Sequence, residues 1–419
     1  MTRKLLWAAS LLGALFLTGC GGGGSSGGVT GGPPPAPNTL AVTVDEGPTG
    51  LTSQGYVAAN TLYAQVTLCT PGSTSACQII DHVQVDTQSV GLRILAEVLD
   101  GSAAPVAIHD PQTTLPLFEC AVFADGYTWG SMVIADVTIG GRTLSRLPVH
   151  LIGDTAASGA APASCVSGKA ENSVALFGAN GIIGIGNWMN DCGDACVSSI
   201  PSQYPPYYVC SNPGTVSQSC NTTPLALADQ LQNPVGALAS DNNGVEIVLP
   251  SVAAPGATTV NGTMYFGVGT QADNSLGSAT VYTVDGSGYL LTTYGGQLLS
   301  SSFIDSGSNA YFFNDNTIAV CPSNDTLAPG WDCPAQTVHT SGQIQGHNGR
   351  TATVSFAVDN AHALFALPTL LTAFPTLAAP DTADNGVSDS FDWGLPFFYG
   401  RRVYVLFENN TATGPAIAF

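Results

Sequence analysis

From Thr39 onward, short apolar segments alternate with Gly, Pro, Asn or Asp. Leu62–Leu68, Ile79–Val85, Val133–Ile139, Thr143–Ile152, Thr351–Val358 and Val403–Phe407 are such segments. In Thr351–Val358 polar and apolar residues alternate as far as Phe356. That is the period of a strand with one face buried. Helical spacing is scarce. Only Pro224–Gln232 and Pro368–Phe374 read as short helices. Cys192 to Cys220 is rich in Pro, Tyr, Ser and Asn and reads as a disulfide-held loop insertion, bounded at about 191–221. The pattern therefore predicts an all-β body with few short helices.

Composition points the same way. Charged residues make up 9% of the 419 positions, and there are 49 glycines. Long helices draw on Glu, Lys, Arg and Leu, whereas Val, Thr, Ser, Gly and Asn favour strands and turns. The length suffices for two lobes of ordinary size. The formal charge is −20, with no cluster of Lys and Arg, so a nucleic-acid partner is excluded. The acidity is read as a means of solubility.

The N-terminus carries a targeting signal. Arg3 and Lys4 precede an apolar run, Leu5 to Leu17, which is too short for a comfortable membrane span. Leu17-Thr18-Gly19-Cys20 follows and resembles the bacterial lipobox. That resemblance implies a signal peptide over residues 1–20, acylation of Cys20, and anchoring to the outer membrane, because Gly21 rather than Asp follows the cysteine. Residues 21–38, rich in Gly and Pro, cannot build a core and are expected to form a flexible tether.

Ten cysteines remain after Cys20. Cys69 with Cys77, Cys192 with Cys196, Cys210 with Cys220, and Cys321 with Cys333 are near neighbours, which leaves Cys120 and Cys165. Five local disulfides would satisfy all ten in an oxidising compartment. Zinc is not expected, since no CxxC pair or adjacent His accompanies them.

Two distant segments are alike. Val83-Gln-Val-Asp86-Thr87-Gln88-Ser89 and Ser302-Phe-Ile-Asp305-Ser306-Gly307-Ser308 each run from an apolar lead-in to Asp, a hydroxyl residue, a tight-turn position and Ser. Apolar residues follow in both. Their spacing of 219 residues is that of a domain-sized repeat. Two carboxyls held close together cannot both ionise easily, and so share a proton. The ionised one can activate a water; the protonated one can donate to a carbonyl oxygen. No metal and no cofactor is needed. Thr87 and Ser306 would tie the two loops together. Ser89 and Ser308 would orient carboxylate oxygens.

These residues resemble the pepsin family of aspartic peptidases. The resemblance continues in order from about Asn60 to Phe419. Tyr127-Thr-Trp129-Gly130-Ser131-Met132 looks like the tip of that family's flap, with Tyr127 on the flap tyrosine. Asn180–Gly186 and Trp393–Phe398 resemble the apolar-apolar-Gly elements that close the two active-site motifs, and Gly262–Gly267 fits the start of the second lobe. The lipoprotein start joined to this body is similar to a family of bacterial lipoproteins with a domain of unknown function, DUF3443. The resemblance implies a bilobal, pepsin-like double β-barrel, with lobes over residues 39–254 and 255–419. It implies a monomer with Asp86 and Asp305 as the dyad, acting on an extended polypeptide of roughly six to eight residues, held by main-chain hydrogen bonds. The localisation implied is the envelope, on the periplasmic or the surface face.

Two positions depart from the family. Gln88 stands where it has Gly, and Arg93 where it carries a Trp that braces the flap tyrosine. Trp129 is expected to stack on Arg93 in compensation. Gln88 favours the alternative function, a pepsin-like shell that binds a peptide, glycan or envelope partner with little catalysis. The six His residues form no ligand pair, and Asp381, Asp384, Asp389 and Asp392 lack calcium-loop spacing.

Overall fold

The computed structural model describes residues 38–201, 205–381, 389–410 and 412–419. Cys20, the signal peptide, the tether up to residue 37, Tyr204 and Asp384 lie outside the described residues.

The architecture is all-β and bilobal. Each expected strand is present: Leu62–Cys69, Cys77–Asp86, Gly126–Ile139, Arg142–Ile152, Thr351–Val358 and Arg402–Leu406. Thr351–Val358 buries alternate side chains, as its sequence predicts. Neither expected helix forms. Over 224–232 the chain makes turns, in which the Gln230 side chain donates to Leu225 O and Gly193 O. Over 368–374 the backbone is spent on distant partners. Thr372 N and Ala373 N both donate to Ala257 O, and Phe374 N donates to the Asn60 side chain. Amides committed that way cannot close helical turns. A short helix forms just upstream instead, Ala361–Phe365, capped by the Asn360 side chain.

A shared antiparallel sheet joins the lobes. Val260–Phe266 lies between Thr39–Val44 and Gly244–Val248, and the order continues through Arg402–Leu406 and Ala416–Ala418 to Val281–Thr283. Thr39–Val44 also pairs with Leu62–Cys69, which carries the sheet into the first lobe. A second, seven-stranded sheet belongs to the second lobe and runs from Thr351–Val358 at one edge to Ala378–Ala379 at the other.

One construction occurs in both lobes. Gly181–Ile185 lies parallel to Cys77–Asp86, with Gly184 opposite Asp86. Asp392–Trp393 lies parallel to Gln297–Ile304, with Trp393 opposite Ile304, so that Asp305 N donates to Trp393 O and Gly394 comes level with Asp305. Side chains at Gly184 and Gly394 would collide with the backbone of the adjacent Asp loops. A Cβ on the first would sit 2.6 Å from Ser89 C and Val90 N, and one on the second 2.0 Å from Ala310 O. Behind the second-lobe strand packs an aromatic core, in which Phe391 stacks on Trp393 at 4.1 Å and on Phe313 at 4.8 Å.

The ten cysteines of the body pair as Cys69–Cys77, Cys120–Cys165, Cys192–Cys196, Cys210–Cys220 and Cys321–Cys333. The insertion is more than a loop. Tyr207–Ser211 and Ser219–Thr222 form a hairpin, and the first of these pairs with Leu117–Val122. No helix among the described residues is long and apolar enough to cross a membrane.

Candidate active site

Asp86 ends one strand and Asp305 follows another, and the parallel neighbours described above fix where each loop turns. The fold brings the two loops together. Thr87 Oγ1 accepts from Ser306 N at 2.9 Å and donates to Ile304 O at 3.2 Å. Ser306 Oγ donates to Val85 O at 2.7 Å. Both hydroxyls are buried, and each bond crosses between lobes. Gln84 adds a further tie, from Nε2 to Gly307 O at 2.7 Å.

The carboxyls meet across this joint. Both carboxyls are buried and border Gly307, where a Cβ would lie 3.2 Å from Asp305 Oδ1. Two buried carboxyls held this close cannot both ionise easily. Gly307 makes the approach feasible, because a Cβ there would lie 2.9 Å from both Cγ and Oδ1 of Asp86. Burial, then the charge of Asp86, then that of Asp392, push Asp305 well above the usual carboxylate range; the Gly307 amide partly offsets them.

Within each loop the carboxylate is held by backbone. Gln88 N and Ser89 N donate to Asp86 Oδ1 at 2.8 and 3.2 Å. Gly307 N donates to Asp305 Oδ1 at 2.8 Å. The serines differ. Ser308 Oγ donates to Asp305 Oδ2 at 2.9 Å. The buried Ser89 hydroxyl makes no hydrogen bond among the described residues, so Ser89 holds its aspartate through the amide instead. Gln88 keeps the amide role of a glycine and is not among the residues of positive φ. Its side chain crosses to the other lobe, donating to Ile304 O at 3.4 Å and approaching Gly288.

The flap region departs from expectation. The hairpin of Leu117–Val122 and Gly126–Ile139 turns at Phe123–Gly126, closed by Phe123 N to Gly126 O at 2.8 Å. Tyr127 is therefore the second residue of the return strand, and Trp129 lies further down it. Tyr127 opposes Val122, Trp129 opposes Cys120, and Gly130 opposes Glu119. Because strand residues alternate between faces, Tyr127 and Trp129 share one face while Glu119 occupies the other. Trp129 stacks on Phe118 at 5.2 Å and meets Tyr208 edge-on at 5.3 Å; it does not stack on Arg93. Arg93 is taken by Glu119 on the opposite face, from Nε at 3.1 and 3.2 Å, and by Val90 O at 2.9 Å. A buried guanidinium requires a carboxylate more than it gains from an indole. His150 Nδ1 lies 2.6 Å from Glu119 Oε2, and Asp191, bonded to Tyr207, completes this cluster.

Both long edges of the hairpin are covered. Tyr207–Ser211 pairs with one strand, Lys169–Ala170 with the other, and the Cys120–Cys165 disulfide ties the first to the chain beyond. The sequence did not reveal the Arg93–Glu119–His150 cluster, since a lone Glu inside an apolar strand was its sole trace.

Among the described residues, the acids of the run near the end take separate hydrogen-bond partners or turn inward. Asp381 bonds Ser390, Asp389 accepts from Ser300 and Ser301, and Asp392 turns inward. Asp392 is buried, meets Ser308, and is pushed well above the usual range by burial first and then by the charges of Asp381 and Asp86. Among the described residues no group of three or more His, Cys, Asp or Glu side chains forms a metal cage.

Comparison with known proteins agrees with the fold. The model of a family described as "Protein of unknown function (DUF3443)" matches residues 34–419. No curated protein matches the chain. Among solved structures, an aspartic proteinase from Irpex lacteus aligns at a TM-score of 0.50 and 13% identity, over 91% of this chain and 96% of that one.

Proposed function

The chain belongs to the DUF3443 family, and from its pepsin-like fold we propose that it is an aspartic endopeptidase of the bacterial envelope, with Asp86 and Asp305 as its dyad. The observation that carries this reading is the joining of the two Asp loops by the Thr87 and Ser306 bonds across the lobes, with both carboxyls seated against Gly307. Asp305 is the member pushed towards the protonated state, so it is assigned as the acid that donates to the scissile carbonyl oxygen. Asp86 then accepts a proton from the attacking water. Asp86 then passes that proton to the leaving amine, and as the C–N bond breaks a hydroxyl of the tetrahedral intermediate returns its proton to Asp305, which restores one proton between the two carboxyls. Thr87, Ser306, Gly307 and Ser308 support the pair, and Ser89 contributes its amide. Tyr127 would cap a bound strand only through a shift of the hairpin, since it packs against the Cys120–Cys165 side.

The five disulfides suit an oxidising compartment, and Cys20 within its lipobox-like sequence suits a lipid anchor in the outer membrane. The periplasmic and surface faces are both open to such an anchor. A second reading, a shell that binds a peptide, glycan or envelope partner, is favoured by the covered flap hairpin.

Cleavage of unstructured peptides by the purified full chain, from pH 3 to 7 with and without pepstatin, separates the two. The endopeptidase reading expects acid cleavage that pepstatin blocks and that Asp86→Asn or Asp305→Asn abolishes. Binding of peptide without cleavage in every variant supports the shell instead.

A further inference from the structure

The Gln88 side chain, which has no counterpart in the second Asp loop, helps to wall a polar niche beside the dyad. Its amide is oriented by the other lobe. Nε2 donates to Ile304 O at 3.4 Å, and Oε1 lies 3.6 Å from where a Cβ on Gly288 would sit. Asn187 Oδ1 and Trp188 Nε1 each lie 3.9 Å from the same point. Apart from the chain neighbours of Gly288, these are the three atoms nearest to it. Gly288 closes a turn, donating from N to Asp285 O, and its φ of +86° favours glycine, so no side chain fills the niche. The niche adjoins both acids. Gln88 N donates to Asp86 Oδ1, and the Tyr289 ring packs at 6.0 Å against Phe303, two residues before Asp305.

The chemistry of the niche is fixed by what each group has already spent. Asn187 is buried, and its Nδ2 donates to Leu406 O at 2.8 Å and to Ala416 O at 3.0 Å, so Oδ1 is the atom it turns to the niche. Gln88 likewise offers Oε1, an acceptor. Trp188 offers Nε1, a donor. No hydrogen bond among the described residues uses these three atoms. Two acceptors and one donor call for a group with two hydrogens and one acceptor oxygen. A primary carboxamide has both. A carboxylate brings no hydrogen to the two oxygens. An ammonium or guanidinium has no acceptor for the indole N–H, and a hydroxyl has one hydrogen for two acceptors. A polar group brought in without its match costs binding.

We propose that Gln88, Asn187 and Trp188 form a specificity subsite beside the dyad that takes a primary carboxamide, the side chain of an Asn or Gln residue in an extended polypeptide. Gln88 and Trp188 read the carboxamide directly. Asn187 does so while its own amide ties the loop to the strands at Leu406 and Ala416. A preference in cleavage rests on the endopeptidase reading; binding of the carboxamide does not.

The test presents the full chain with peptides of about eight residues in which Gln, Asn, Glu or Leu is placed at each position in turn. At one position Gln or Asn should raise kcat/KM about tenfold or more over Leu and Glu. Trp188→Phe and Gln88→Met should each shrink that ratio roughly threefold or more. Binding is read on the full chain carrying Asp305→Asn and ¹⁵N-labelled tryptophan. The indole N–H resonance missing from Trp188→Phe is that of Trp188, and the remaining indole resonances report that the variant is folded. Saturating Gln or Asn peptide should move the Trp188 resonance, and the matched Leu peptide should leave it in place. A cleavage preference that survives both variants, or cleavage with no carboxamide preference at any position, would overturn the subsite. So would a Trp188 resonance that no Gln or Asn peptide moves, or that Leu peptides move equally. A wild type that cleaves nothing counts against the endopeptidase reading alone, and the resonance then decides the subsite.

Discussion

The Asp86 and Asp305 loops share a backbone plan and differ in what surrounds it. The first is held by two amides, has an idle serine hydroxyl, and is backed by Ile182. The second is held by an amide and a hydroxyl, and is backed by a buried acid. The first has Gln88 where the second has Gly307, and a side chain is sterically intolerable at 307 alone. Repetition of a fold therefore does not imply repetition of chemistry. Burial and the charges of Asp86 and Asp392 raise Asp305, the acid of the second loop, above the usual carboxylate range.

Removing either acid should break the comparison outright. Asp86→Asn and Asp305→Asn are each expected to lower peptide cleavage by about 10²–10⁴-fold, measured as initial rates at the acid optimum. Comparable residual rates in the two variants would show that the loops act as one unit.

Gly307→Ala and Gln88→Gly probe the turn positions. The alanine Cβ would press on the Asp86 carboxyl, so a loss of about 1–3 kcal/mol in urea unfolding is expected, together with most of the activity. Gln88→Gly keeps the amide bond to Asp86 and should cost no more than about 1 kcal/mol. Equal losses at the two positions would remove the asymmetry.

The serines give a smaller contrast. Ser308→Ala loses a hydrogen bond to a carboxyl and should cost about 1.5–3 kcal/mol. Ser89→Ala loses an unpaired hydroxyl and should be close to neutral by the same unfolding assay.

The gentlest probe is pH. Burial holds Asp305 and Asp392 well above the usual carboxylate range, and holds Asp191 at about 7, where Glu119 raises it further against the pull of Arg93. Burial and Asp125 hold Glu171 at about 8. Between about pH 4 and 8 the folded chain therefore binds more protons than the unfolded one, so stability falls as pH rises. Each fully buried carboxyl of this kind contributes a slope of up to about 1.4 kcal/mol per pH unit. Groups held low act in the opposite sense, Glu119 at about 2 through Arg93 and His150, and Asp45 through His82; their stabilisation is lost as pH falls through the acid range. Thermal unfolding should therefore show a midpoint that is highest near pH 4–5 and lower at pH 8. A midpoint that rises steadily to pH 8 would contradict the burial of these acids.

Much of this was legible in the sequence. Strand alternation, the repeated Asp motif and the cysteine spacings each have a local signature, and the structure realises all three. What stayed hidden was non-local. Asp392 sits in an acidic run that reads as solvated loop, and only the parallel pairing with Phe303 turns it inward. The sequence suggests Trp129 as the partner of Arg93, but strand alternation puts Trp129 on the wrong face and Glu119 on the right one. The segment at 368–374 has helix-compatible residues, and its amides went to Ala257 and Asn60 instead.

Neutron diffraction from acid-grown crystals exchanged into heavy water tests the central claim most directly, because it locates deuterium between carboxyl oxygens. The account predicts one deuteron between Asp86 and Asp305. Two bare carboxylates turned apart, or each carboxyl carrying its own deuteron towards solvent, would contradict it.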